Sequence, residues 1–492
     1  MRYEIVGRKK EIQKLEEIFS SKEAEFAAVY GRRRVGKTYL VERFFKAKPC
    51  IFFGLTGLKD GQLSTQLELF TRAVAETFYK GTVKIAQPGR WLDALKLLTD
   101  RINELPRGKK IVLFFDELPW LATRKSGILQ AIDYYWNTQW SKNPVIKLIV
   151  CGSAASWILE EIVYAKGGLH NRITARIHLM PFTLAESREY LAYRGINLSE
   201  SQVLELYMVM GGIPHYLKAV SVGLSAAQNI NNICFQPDGL LLDEFDGLFT
   251  SLFGKYEVHK EIIRALAQHP QGLSRDEILK QSRRLSSGGT FKERLLELEE
   301  AGFIGAFIPY GYSRKGTYYR ITDEYTIFYL KWIQPARRKL IRDSPGYWES
   351  KSQTQAWKTW AGFAFESVCF KHVNKIANAL GLGVISKEIG SWRYLPGSKG
   401  DRHRDGAQID LLLDRSDGVI NICEIKHYNK KFVIDKSYAR ELRRKLELFN
   451  EQTKTGKQLF LTMITTHGLK QNEYSGELAV KEITLKDLFK KD

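Results

Sequence analysis

Phe26-Ala-Ala-Val-Tyr30 reads as a short buried strand, and it runs straight into Gly31-Arg32-Arg33-Arg34-Val35-Gly36-Lys37-Thr38. This G-x-x-x-x-G-K-[ST] turn, between a strand and a helix, constrains the fold more than any other feature of the chain. Its glycines let successive backbone N–H groups wrap around phosphates, Lys37 neutralises their charge, and Thr38 offers a hydroxyl to Mg²⁺. Further along, Ile111-Val-Leu-Phe-Phe-Asp116-Glu117 is a second apolar strand that ends in two acids. Asp116 is then placed beside the metal and Glu117 where it can activate an attacking water. Together the two motifs predict ATP and Mg²⁺ bound at one end of an α/β sheet.

The rest of the first half fits that sheet. Residues 1–20 read as a short basic strand and a helix with Ile12, Leu15, Ile18 and Phe19 on one face. Cys50–Phe53, Val145–Cys151 and Ala175–Leu179 are further strands, alternating with amphipathic helices as in a parallel, doubly wound sheet. Helical patterns fill 185–250 and break at Gly211-Gly-Ile-Pro214. Between 255 and 320 come helical stretches at about 257–268, 274–282 and 290–301. Strand-like Phe303–Pro309 and Thr317–Ile321 follow, around a Gly311–Gly316 turn. Three helices and a two-stranded hairpin is the order of a winged helix-turn-helix. After a linker at Pro335–Gly346, a helix is expected near 355–380, with strands near 384–394, 407–414 and 419–425. A charged helix near 436–449, a strand at Leu459–Ile464 and a short final helix close the chain.

Residues around the first two motifs resemble the AAA+ branch of P-loop ATPases, in particular archaeal-type ATPases allied to signalling NTPases. The resemblance covers about residues 1–250. Val6-Gly7-Arg8-x-x-Glu11-x-x-x-Leu15 resembles the segment that packs on the adenine in that family, which implies nucleotide contact at Gly7 and Arg8. Val150-Cys-Gly-Ser153 resembles the strand end that carries a polar sensor of the γ-phosphate, implying that role for Ser153. Gly168-Leu-His-Asn-Arg172 resembles a loop ending in an arginine finger or intramolecular sensor; an ordinary surface arginine is the other reading of Arg172. Gly212-Ile-Pro214 is similar to the signature of the family's helical lid.

The chain carries 75 Lys+Arg against 55 Asp+Glu, and the excess is uneven: +7 over residues 1–254 and +13 over 255–492. A basic second half points to a polyanion such as DNA. Within it, Ala407-Gln-Ile-Asp410-Leu-Leu-Leu-Asp414 is a strand, and Val419–Glu424 is another that continues into Ile425-Lys426. Period 2 puts Glu424 and Lys426 on one side, and a paired strand can bring Asp410 alongside. Two carboxylates then suit a hard divalent ion, and a lysine suits orienting or deprotonating water and meeting developing negative charge.

This pattern resembles the PD-(D/E)xK nuclease superfamily over about residues 335–485. The resemblance implies a further metal-site acid, Glu366, in the helix that holds Trp360-Ala-Gly-Phe-Ala-Phe-Glu366, and Mg²⁺ or Mn²⁺ as the ion. Ile389-Gly-Ser-Trp392 and Cys423-Glu-Ile-Lys426 resemble the nuclease-type domain appended to many archaeal-type ATPases. Asp414 and Asp417 read as turn residues, and Glu388 as an acid supporting the metal ligands from behind or a solvated strand residue.

Basic residues flank the pattern: Lys387, Arg393, Lys399, Arg402 and Arg404 before it, then Lys430, Lys431, Lys436, Arg440, Arg443, Arg444 and Lys445. They could contact DNA phosphates; Arg440 and Arg444 with Glu441 and Glu447 also fit a solvated helix face. Trp392, Tyr394 and Tyr428 could stack on bases or pack in a core. The helix Gly289–Ala301 carries Lys292, with Arg314 and Lys315 in the hairpin tip, but Glu293, Glu297, Glu299 and Glu300 oppose phosphate. It serves DNA or a protein partner.

Other chemistry is excluded. Five scattered cysteines without C-x-x-C spacing read as reduced core residues, and the nine histidines form no zinc pattern; His403 and His427 read as structural. No apolar run approaches a membrane span, and the N-terminus turns polar at once, so a cytoplasmic protein is expected. The expected fold is α/β multidomain. It comprises a P-loop ATPase parallel-sheet core (1–180), a helical lid (181–254), a winged helix-turn-helix (255–330) and a PD-(D/E)xK nuclease-like domain (335–492). The expected function is ATP-controlled DNA binding and metal-dependent cleavage, with a homo-oligomer possible if Arg172 acts on a neighbour. The alternative is a slow ATP switch whose last domain only binds nucleic acid or protein.

Overall fold

Short runs that are apolar on both faces form strands covered from both sides. The computed structural model describes residues 4–491, apart from 107, 124, 154, 164–171, 254–255, 283, 286–287, 312–315, 339–345, 386 and 395–405. The chain divides into two compact units, Met1–Pro181 with Leu296–Gly302, and Phe182–Leu295 with Phe303–Asp492.

In the first unit five such runs become β1 (Glu25–Tyr30), β2 (Ile51–Thr56), β3 (Ile111–Asp116), β4 (Ile146–Gly152) and β5 (Ala175–His178). All pair in parallel, in the order β2-β3-β4-β1-β5. Helices Leu63–Tyr79, Trp91–Asn103 and Ile128–Thr138 place Phe70, Trp91 and Trp136 in one core with Phe26, Phe53 and Phe115 of the strands. Because β4 lies between β1 and β3, whatever follows β4 is held between the loop after β1 and the acids ending β3. The expected basic strand near the N-terminus is absent over residues 4–8. There Arg8 takes a left-handed conformation (φ 58°) and starts the helix Lys9–Ser20.

The second unit opens with helices. Thr183 and Glu186 form a capping box on Leu184–Tyr193, and Glu200–Met210 follows. The break after it has a steric cause. A Cβ on Gly212 would lie 1.8 Å from the Phe182 carbonyl oxygen, and the Phe182 N–H donates to the Gly212 carbonyl at 2.6 Å. Only glycine permits that approach, so packing alone accounts for this part of the Gly-Ile-Pro signature.

Helices Glu257–Ala267, Arg275–Gln281 and Gly289–Glu300 are then interleaved with the strands of a small antiparallel sheet. The sheet has three strands where the sequence suggested two: β6 (Leu273–Ser274), β7 (Ile304–Phe307) and β8 (Tyr318–Ile321), in the order β6-β8-β7. A two-residue strand carries no period to read. Arg314 and Lys315 lie outside the described residues.

The C-terminal sheet is mixed: β9 (Lys387–Tyr394), β10 (Ala407–Arg415), β11 (Val419–Lys426), β12 (Gln458–Thr465) and β13 (Lys481–Thr484). The first three pair antiparallel, the last three parallel. The expected long helix near 355–380 is two, Gln355–Lys371 and Val373–Ala379, joined at His372. Asp414 is not in a turn. It lies in β10 and pairs with Lys457 at 2.5 Å, while Asp417 occupies the turn and binds Arg415. Trp392 is buried, stacks on Tyr394 and meets Phe449 edge-on, so it belongs to the core. Tyr428 is exposed. Lys399, Arg402, His403 and Arg404 are outside the described residues. No helix among the described residues is long and apolar enough to cross a membrane.

Candidate functional site

The loop after β1 is built on unusual backbone. Gly31 has φ 140°, Arg34 72° and Gly36 92°, and Gly36 sits at the start of the helix Lys37–Lys46. A Cβ on Gly31 would lie 2.3 Å from the Leu179 carbonyl oxygen, so a larger residue would push this turn off β5. Arg32 and Val35 are buried, Arg33 partly exposed. Arg8 is buried beside the loop, donating to the carbonyls of Met180 at 2.6 Å and Val35 at 3.2 Å. Gly7-Arg8 therefore braces the loop from outside.

Five side chains meet at the strand ends. Lys37 Nζ donates to the carbonyls of Gly31 and Arg32 at 3.0 Å each and to Ser153 Oγ at 3.1 Å. The Ser153 hydroxyl donates to Glu117 Oε1 and its backbone N–H to Oε2 at 3.1 Å. Thr38 Oγ1 donates to Asp116 Oδ2 at 2.8 Å. Ser153, just past β4, thus links the loop lysine to the strand-end glutamate, as the inserted position of β4 requires. Glu117 takes the left-handed conformation (φ 47°), which turns the chain sharply off β3.

Burial raises the Asp116 carboxyl above its ordinary range; the Thr38 hydrogen bond opposes the shift and the neighbouring Glu117 adds to it. Its second oxygen is buried and, among the described residues, has only the Cys151 thiol beside it. A buried carboxylate oxygen met only by a weak thiol donor, next to a threonine hydroxyl, fits a hard cation. Thr38 and Asp116 would hold Mg²⁺ here, which supplies charge neutralisation for a nucleotide's phosphates. Arg172 is exposed just before β5, and residues 168–171 of its loop lie outside the described residues.

A second cluster forms where β10 and β11 pair. Leu411 opposes Cys423, which sets Asp410 against Glu424 one step further on. The β9–β10 pairing is irregular between Ile409 and Leu412, so the ladder on the other side is interrupted at Asp410. Glu424 is buried and fully engaged: Oε1 accepts from Tyr438 at 2.7 Å and pairs with Lys426 at 2.9 Å, and Oε2 accepts from Lys445 at 2.7 Å. Asp410 accepts only the Gln408 amide, at 3.2 Å, among the described residues.

Burial, with Glu424 as neighbour, pushes Asp410 up to about 6; burial and Asp410 push Glu366 up to about 8. Burial works against the Glu424 charge too, but Lys426 and Lys445 outweigh it and hold that carboxyl below its usual value. Lys445, expected to face phosphate, is instead buried against Glu424. Tyr438 and Lys445 are the members of this cluster that motif reading missed. Their signal was present: Lys445 continues the three-residue rhythm of Ala439, Leu442 and Leu448, the buried stripe of the helix Lys436–Thr453.

Among the described residues no three acid, histidine or cysteine side chains converge to hold a metal alone. Mg²⁺ commonly takes one or two carboxylates and fills its shell with water and substrate oxygens. Asp410, with an oxygen to spare, and the partly exposed Glu366 fit that role better than the braced Glu424. His427 lies beside Phe365, and burial drops its pKa to about 4, as for a structural imidazole.

A glycine-bounded loop over a helix start, with its threonine tied to a strand-end acid, defines a P-loop nucleotide-binding domain. Residues 5–220 match the family model of an ATPase domain predominantly from Archaea, and this part of the chain is similar to such domains. The chain is 26% identical over 449 residues to an uncharacterized protein of Methanocaldococcus jannaschii, covering 90% of this chain and 92% of that one. Among solved structures it is similar to a Walker-type ATPase of Pyrococcus abyssi, with TM-score 0.48 and 17% identity over 66% of this chain and 96% of that one. It is also similar to the ORC2 protein of Aeropyrum pernix, with TM-score 0.36 and 16% identity over 65% of this chain and 90% of that one.

Proposed function

We propose that the protein couples ATP turnover at the loop of the first unit to DNA binding and divalent-metal-dependent DNA cleavage at the cluster of the second. On this reading residues 1–180 are the ATPase core, 181–254 a helical lid, 255–330 a winged helix and 335–492 a PD-(D/E)xK nuclease-like domain. The observation that carries it is the placement of Asp410 towards Glu424, one step past the paired Leu411 and Cys423 of β10 and β11, with Lys426 bound to Glu424.

In the first unit Lys37 and the loop N–H groups bind the nucleotide's phosphates, and Thr38 and Asp116 hold Mg²⁺. Glu117 orients and deprotonates the attacking water, while Ser153 positions Glu117 and senses the γ-phosphate. Arg172 would act as an arginine finger, within the protomer or on a neighbour in a homo-oligomer. In the second unit the metal, when bound, supplies Lewis-acid activation of a phosphodiester. Glu424 fixes the Lys426 ammonium, which orients water and stabilises charge on the phosphate oxygens. Asp410 and Glu366 provide the oxygens that make a cation welcome.

The slow-switch reading is favoured by one contact. Lys445 closes an ion pair on Glu424 and so takes from the metal the second carboxylate that the sequence pattern assigns to it. The experiment that decides is cleavage of supercoiled, linear and single-stranded DNA with Mg²⁺ or Mn²⁺, with and without ATP, by the parent and by Asp410→Ala. Cleavage by the parent that disappears in the variant, with ATP hydrolysis retained, supports the nuclease. Equal cleavage by both overturns the site, and DNA binding without cleavage on any substrate leaves the switch.

A further inference from the structure

The second unit contains a cavity of about 790 Å³ between the helices Glu257–Ala267, Glu324–Phe328 and Gln355–Lys371 and the end of β8. Small-ligand pockets span roughly 300–1,000 Å³. Leu266, Ile327, Trp360 and Phe363 give it apolar walls.

Two polar groups in those walls lack partners. The Arg320 guanidinium lies 3.4 Å from the centre of the Phe370 ring and 5.0 Å from that of Phe307, and makes no hydrogen bond or ion pair among the described residues. With its faces against rings, its in-plane N–H donors remain for an anion, the geometry in which arginine grips a carboxylate or phosphate. Burial lowers its pKa to about 10, opposed by the Glu366 carboxyl. Glu366, which lines the same cavity, is the acid that acts on it, but no direct ion pair closes between the two among the described residues, and a guanidinium held partly out of water without one is costly. Trp360, itself 7% exposed, buries an indole N–H that meets no acceptor among the described residues. Lys331 adds a second positive charge at the wall.

We propose that this cavity binds a flat organic anion, a carboxylate or phosphate on an aromatic ring system. Arg320 clamps the anionic head, and Trp360 and Phe363 flank the ring. The site requires no activity of the carboxylate cluster, although Glu366 reaches both.

The test uses the full chain with saturating ATP and Mg²⁺, so that the nucleotide loop is filled. Binding of 8-anilinonaphthalene-1-sulfonate is compared with that of neutral N-phenyl-1-naphthylamine, which has nearly the same ring body without the charge. One site is expected for the sulfonate, weakened at least tenfold by Arg320→Gln, with the neutral probe changed less than twofold. Trp360→Phe, which removes the N–H donor together with part of the indole ring surface, should weaken the sulfonate about threefold and serves if Arg320→Gln does not fold. 1-Naphthoate and 1-naphthyl phosphate then compete for the site; whichever displaces the probe in the parent, but not in the arginine variant, identifies the head group. Sulfonate binding indifferent to both substitutions, equal loss of both probes, or displacement by neither competitor overturns the proposal.

Discussion

Both candidate sites set lysines among oxygens, but they treat the charge in opposite ways. Lys37 is held by two carbonyls and a hydroxyl, and it forms no ion pair among the described residues. Lys426 and Lys445 both rest on Glu424. The first arrangement keeps a full positive charge poised on neutral acceptors, ready for phosphates. The second spends its lysines on fixing one carboxylate and leaves two others, Asp410 and Glu366, short of partners. An anion receptor and a cation receptor are thus made from similar residues, differing in where the compensation falls.

The largest expected consequence concerns activity. Lys37→Met should reduce ATP hydrolysis at least 100-fold, roughly 3 kcal/mol or more of lost phosphate stabilisation. The same substitution should lower unfolding free energy by only about 1–3 kcal/mol, the cost of leaving the buried Gly31 and Arg32 carbonyls without their donor. A steady-state phosphate-release assay beside a denaturant titration checks both. A large stability loss with normal turnover would mean that Lys37 is structural, and the contrast would collapse.

Lys445→Met inverts this. It strips one partner from a carboxylate that is 3% exposed, and breaking a buried pair on one side typically costs about 3 kcal/mol. Denaturant unfolding of the second unit should show that loss, while ATP hydrolysis in the first stays within a few-fold of the parent. Adding Glu424→Gln should restore much of the stability, since the amide removes the charge that Lys445 balanced. A double variant no more stable than Lys445→Met would mean that the lysine contributes packing alone.

The same contrast explains what could be read in the sequence. The loop from Gly31 to Thr38 is contiguous and rests on backbone geometry, so eight residues specify it. Asp116 and Glu117 end a strand buried along its whole length, and a strand end is easily recognised. The carboxylate cluster depends on register between β10 and β11. Period 2 put Glu424 and Lys426 on one face, but neither Tyr438 nor Lys445 belongs to a motif. Lys445 was counted with its charged neighbours because charge suggests solvent, although its place in a buried helical stripe argued otherwise. Ser153 was found through its strand, but its grip on both Lys37 and Glu117 follows only from β4 lying between β1 and β3. The strands β6 and β13 were missed for a plainer reason: two- and four-residue strands leave little period to detect.

A smaller effect separates the units by pH. His372 is buried at the junction of two helices; its Nε2 accepts the Leu184 N–H at 3.0 Å and its Nδ1–H donates to the Val368 carbonyl at 2.8 Å. This pattern requires the neutral ring. Burial drops its pKa to about 4; the Val368 carbonyl and Glu324 oppose the shift, and Lys371 and Lys375 add to it. The unfolded chain binds a proton near 6.5, so between 6.5 and 4 it takes up the proton that the folded unit refuses. Stability from this residue is therefore complete above about pH 6.5, falls as the pH drops through that window, and levels off below about 4. The full span is on the order of 3 kcal/mol. Denaturant titrations from pH 4 to 7, subtracted from those of His372→Gln, should isolate this slope in the transition of the second unit. Ordinary carboxylate titration cancels in the subtraction. A difference curve flat across the window would show that the ring gains its proton without disturbing the helix start at Leu184, and the hydrogen bond there would be dispensable.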